Sequence, residues 1–155
     1  MSIKRTVIAQ YQSVVDQAAI AAQKLRAPRE GWIRTVRKAL GMSGAQLGRR
    51  MGVSRAQMAQ TERNELSGSV TLKSMQRAAE ALGCRFVYAI VPREGSVEAL
   101  IEERARQKAK TIVAKAEEHM ALEAQTLSPS KNQFEIDRLT QEFIRDLPSE
   151  LWNDK

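Results

Sequence analysis

The chain has 155 residues and a net charge of +7, with one histidine and one cysteine, Cys84. A single thiol excludes an intrachain disulfide and makes a cytoplasmic setting the expectation. No Ser/His/Asp or Cys/His constellation, Walker loop or zinc spacing is present, no apolar run approaches ~18 residues, and no leader pattern follows Met1, so the expected protein is neither an enzyme nor inserted in a membrane and carries no metal or cofactor.

The charge is unevenly spread. Residues 31–83 hold nine Lys or Arg against three Glu, a net of +6, whereas residues 128–155 are net −2. A polyanion-binding surface is therefore expected in the first segment.

Residues 3–26 read as an amphipathic helix, with Val7, Tyr11, Val14, Ala18, Ala22 and Leu25 recurring at spacings of three and four. That stripe needs a cover: the C-terminal half, a second copy or another protein. Pro28 interrupts the pattern, and a helix from Gly31 to Leu40 follows with Trp32, Ile33, Val36 and Leu40 apolar.

Ser43 to Asn64 has the grammar of two short helices joined by a tight turn. Ser43 and Ser54 each precede a glutamine by three residues, Gln46 and Gln57, which is the capping-box pattern of a helix start. Gly52 stands between them, where a chain leaving a helix needs a positive φ. Gly48, one turn earlier, leaves room for a second helix to cross closely. Together these read as a helix-turn-helix.

Gln46-Leu47-Gly48, Met51-Gly52-Val53-Ser54, Met58 and Glu62 resemble the Cro/cI-type (XRE) repressor family over about residues 31–83. Gly44, Thr61 and Asn64 depart from the family pattern, Asn64 standing where a left-handed helix end is common. The resemblance implies that the helix Arg55 to Arg63 reads the major groove through Arg55, Ala56 and Gln60, with Gln57 beside them. An arginine forks onto guanine and a glutamine pairs with the adenine edge, while an alanine can only touch a thymine methyl. Ser43, Gln46, Arg49 and Arg63 are candidate phosphate contacts, which position a protein without reading sequence. Arg37 and Glu62 match the family's buried ion pair, which marks Glu62 as structural.

A further helix from Thr71 to Leu82, with Leu72, Met75, Ala79 and Leu82 inward, closes the core. Arg85 to Val91 reads as one short β-strand that Pro92 ends. Both faces are apolar and no good partner strand exists in the chain, so the same strand of a second copy, through Phe86, Val87, Tyr88, Ala89 and Ile90, is the simplest mate. Ser96 to about Gln125 forms a long helix whose stripe of Val97, Ile101, Ala105, Ala109, Ile112, Ala116 and Met120 suits a packing or dimer seam. His119 beside it reads as ordinary surface. Leu127 to Lys131 is a break, and Ser130 with Gln133 suggests a capped final helix from Asn132 to about Asp146. The acidic, aromatic tail behind it has two candidate docks, the N-terminal helix or a partner.

The expected fold is thus mainly α: an N-terminal helix (1–27), a repressor-like helix-turn-helix domain (28–83), a strand and turn (84–95) and a helical extension (96–155). The expected function is a dimeric, sequence-specific binder of double-stranded DNA acting as a repressor. The alternative is a protein-binding antitoxin. Pro28-Arg-Glu-Gly-Trp through Val91-Pro92 resembles the mobile mystery protein A family, which implies a neighbouring Fic-domain protein as partner. The inhibitory motif of Fic-blocking antitoxins is not matched at Glu30-Gly31 or Glu94-Gly95, so neutralisation would use another surface. RNA binding would call for exposed aromatics or an arginine tract.

Overall fold

The computed structural model describes residues 2–123 and 128–154. Every regular element among them is helical: α1 (Ile3–Ala22), α2 (Trp32–Ala39), α3 (Gly44–Met51), α4 (Arg55–Ser67), α5 (Leu72–Ala81), α6 (Val97–Leu122), α7 (Pro129–Asp146) and a 3-10 turn, Ser149–Trp152. The chain divides into two compact units, residues 23–89 and residues 1–22 with 90–155.

The first unit holds α2 to α5 around one core. Ile33, Leu47, Met58, Met75, Ala78 and Leu82 are buried in it, with Val36, Met42, Met51, Val53, Val70 and Phe86 packed at its margin. Leu47 and Met58 are fully buried where α3 meets α4. The inward face of α5 is Met75, Ala78 and Leu82, one position away from the predicted Ala79, and Leu72 lies outward.

The short β-strand expected over Arg85 to Val91 is not formed, and no strand occurs among the described residues. β-propensity describes how side chains suit a pleated surface, but a strand exists only through its ladder, and no second segment offers one. Only Phe86 turns to the core; its ring stacks on Tyr88 with centroids 5.8 Å apart.

α4 also differs from its predicted span. It runs past Arg63 to Ser67, so Asn64 is helical, and Gly68 supplies the left-handed end at φ 83°. The Asn64 carbonyl accepts from the N–H groups of Ser69 and Val70. Thr61 tolerates its half-buried position because its hydroxyl donates to the Gln57 carbonyl at 3.0 Å.

In the second unit α6 and α7 form an antiparallel pair. Arg106 meets Asp137 at 3.1 Å, and Asn132 donates to Glu117 at 3.1 Å. The buried residues of α6 are Ile101, Ala105, Ala109 and Val113, a ridge of spacing four that takes Val113 where the sequence pattern suggested Ile112. Ser128 caps α7 by accepting from Lys131 N–H, and Pro129 occupies the first turn, where a missing N–H costs nothing. The helix therefore starts three residues before the predicted Asn132. The predicted end of the long helix at Gln125, and Leu127, lie outside the described residues.

The tail docks on α6. Leu151 is fully buried beside Ile101 and Ala105, and Arg104 donates to the carbonyls of Leu151 at 2.6 Å and Asn153 at 2.8 Å. In α1 no side chain is fully buried, although Asp16 accepts from Val97 N–H at 2.9 Å and so caps α6.

Candidate nucleic-acid interface

The site is built from α3, the turn at Gly52 and α4. Both helices begin with reciprocal caps. Ser43 Oγ accepts from Gln46 N–H at 3.1 Å, while Gln46 Oε1 accepts from Ser43 N–H at 2.7 Å. Ser54 and Gln57 repeat this at 3.1 and 2.9 Å. Gly52 adopts φ 71° and ψ 28°, and Val53 N–H closes on the Gly48 carbonyl at 2.8 Å. A Cβ on Gly48 would stand 2.9 Å from the Val53 carbonyl oxygen, so glycine sets how closely α4 can cross α3.

With Met58 turned inward, α4 presents Arg55, Ala56, Gln57 and Gln60 to solvent. These four are not chemically equivalent. Arg55 and Arg49 are exposed and make no hydrogen bond or ion pair among the described residues, so their guanidinium groups are available. Gln60 donates from Nε2 to Asn64 Oδ1 at 2.8 Å and accepts from Arg63 at 2.8 Å. It must release both partners to pair two-fold with an adenine edge. Gln57 has its carbonyl oxygen committed to the cap, which leaves only N–H donors for a ligand. Ser43 and Gln46 are likewise engaged in a cap and lie exposed at the start of α3.

Arg37 and Glu62 form a two-pronged pair, Nε to Oε1 at 2.6 Å and Nη2 to Oε2 at 3.2 Å, with side chains only 12% and 11% exposed. Arg37 also donates from Nη1 to the Met42 carbonyl at 3.0 Å, so one guanidinium ties α2 to α4 and to the approach of α3.

Two further contacts hold the frame and were not foreseen from the sequence. Glu65 of α4 accepts from the N–H groups of Trp32 at 2.6 Å and Ile33 at 2.9 Å, capping α2 from a distance. The one local clue is negative: Gly31 at the N-cap has no side chain to serve α2. Arg50 donates from Nε to the Ala81 carbonyl at 2.6 Å, fastening α3 to the end of α5. No local pattern announces it.

Residues 33–88 match the family described as Helix-turn-helix, so this segment is a helix-turn-helix domain, and the match supports the XRE-type reading. It spans well under half of the chain and lends nothing to the narrower resemblance to mobile mystery protein A. No curated protein and no solved structure matches the chain. Among the described residues no helix is long and apolar enough to cross a membrane.

Proposed function

We propose that this protein is a sequence-specific regulator of transcription that binds double-stranded DNA as a dimer and represses. The observation that carries the proposal is the pairing of a fixed α3–α4 crossing with two uncommitted arginines, Arg49 on α3 and Arg55 at the start of α4. A recognition helix needs a rigid mount and free donors at its groove-facing end. Arg55 fits bidentate contact with guanine, Ala56 and Gln60 follow along the same exposed helix, and Arg49 fits a phosphate.

Dimerisation is supported by the apolar run after α5. Val87, Tyr88 and Ile90 are 65%, 66% and 92% exposed, and Trp32, Val36, Phe86 and Val87 line an apolar cleft in the same unit as Val87 and Tyr88. A second copy covering this run would present two reading helices to DNA, and two-fold symmetry demands a palindromic site.

Selection from a random duplex library tests the reading. Wild-type protein should enrich a palindrome and bind it in a strongly salt-dependent manner. Equal affinity for the enriched duplex and its scrambled counterpart would remove the claim of specificity. Placing the enriched site over a promoter should lower transcription when the protein is present; unchanged or increased transcription would refute repression.

A further inference from the structure

α1 is anchored by one face and bare on another. Ile8, Val15 and Ala19 are half-buried, and Asp16 holds the first N–H of α6. The neighbouring face carries Val7, Tyr11, Val14 and Ala21, with the half-buried Ala18 at its margin, and Val7, Tyr11 and Val14 are exposed by 41%, 71% and 67%. Their steps of four, three, four and three are the heptad alternation that keeps one seam facing a partner helix. A stripe of this kind fits a helix, whereas a sheet edge or a small ligand makes no use of the spacing.

We propose that this outward face is a self-association seam, paired with α1 of a second copy. Charge and hydrogen-bonding chemistry favour the copy over a different protein. Between Thr6 and Gln23 the only charged residue is Asp16, which is committed to capping α6. The seam therefore meets no like charge when apposed to itself, and it offers no charge by which to select a foreign helix. Gln10 and Gln17 flank it, and a primary amide both donates and accepts, so a glutamine facing its own copy is satisfied. Gln17 is already oriented by donating to Ser13 Oγ at 3.4 Å. Val14 lies midway between Val7 and Ala21, so a two-fold axis through the seam passes near it in either helix orientation.

The length of the contact sets its strength. α1 has 20 residues and so spans about 30 Å. One helix face of that length falls short of the roughly 800 Å² per partner of a standard stable interface. The seam adds a pairing step at micromolar concentration, and it does so without DNA, separately from the reading of α3 and α4.

Sedimentation velocity on the full chain at micromolar concentration, with no DNA present, tests this. The Tyr11→Glu/Val14→Glu double variant should show half the wild-type mass with an unchanged helical circular dichroism signal. Equal masses, or a wild type that is monomeric throughout, would overturn the proposal. Should the double variant lose its helical signal, a second variant decides. Val14→Cys in a Cys84→Ser chain should oxidise to a covalent pair of chains, and failure to form that pair refutes the seam.

Discussion

At the scale of single residues, the proposed function assigns reading to Arg55 and anchoring to Arg49, and the two can be told apart. Arg55→Ala removes donors that have no partner among the described residues, so folding should be untouched. Its cost should be about 1–3 kcal/mol at one base position, seen as relaxed preference there. Arg49→Ala should weaken all duplexes alike and reduce the salt slope by about one phosphate contact. Competition titrations against single-base variants of the selected site distinguish the two patterns. Glu62 belongs to the frame. Glu62→Ala strands the Arg37 guanidinium with one remaining acceptor, the Met42 carbonyl, and breaking a buried pair from one side costs about 3 kcal/mol or more. Thermal melting should show the loss, and DNA affinity should return at temperatures where the variant is folded. A variant that melts like wild type yet fails to bind would reassign Glu62 to function. The Ser43–Gln46 and Ser54–Gln57 caps could be read in advance because each spans only three residues. Glu65 and Arg50 could not, since their partners lie 32 or 33 and 31 residues away and only the tertiary fold joins them.

At the scale of elements, the crossing of α3 and α4 is governed by Gly48. Gly48→Ala brings a Cβ to within 2.9 Å of a backbone oxygen, which cannot swing away as a side-chain end would. Overpacking of this kind costs about 1–3 kcal/mol. Because the strain is relieved by shifting α4, operator affinity should fall by more than the melting curve implies at assay temperature. Parallel melting and anisotropy titrations test that inequality; a loss fully accounted for by unfolding would mean that Gly48 serves only stability. Helix existence and the turn at Gly52 were legible because apolar period and caps are local signals. Helix phase was less so: Ala78 and Val113 are buried where Ala79 and Ile112 fit the pattern, since the choice between adjacent small or branched residues is made by the neighbouring helix. The segment Arg85 to Val91 shows the limit in another form. Its composition favours a strand, but composition supplies no partner, and an unpaired run stays irregular however β-prone its side chains are.

At the scale of the whole molecule, charge and exposed apolar surface divide the labour. The net +6 of residues 31–83 favours DNA of any sequence through counterion release, and the −2 of residues 128–155 adds nothing to that attraction. In the proposed function, specific occupancy would depend on joining two reading helices, because one short helix contacts too few base pairs to single out a site. The exposed run of Val87, Tyr88 and Ile90 is the place to break that joining without touching α4. Tyr88→Asp/Ile90→Asp puts charge into the proposed contact while leaving Phe86 on the core; it removes the ring stacked on Phe86, so the variant should fold but melt slightly below wild type. It should bind a palindrome no better than one isolated half-site, whereas wild type should prefer half-sites about 34 Å apart, one turn of DNA, over the same half-sites shifted by half a turn. The spacing series carries the decision. A wild-type protein indifferent to half-site spacing, or a doubly substituted variant that keeps the full spacing preference, would show that Val87 to Ile90 does not join the two reading helices.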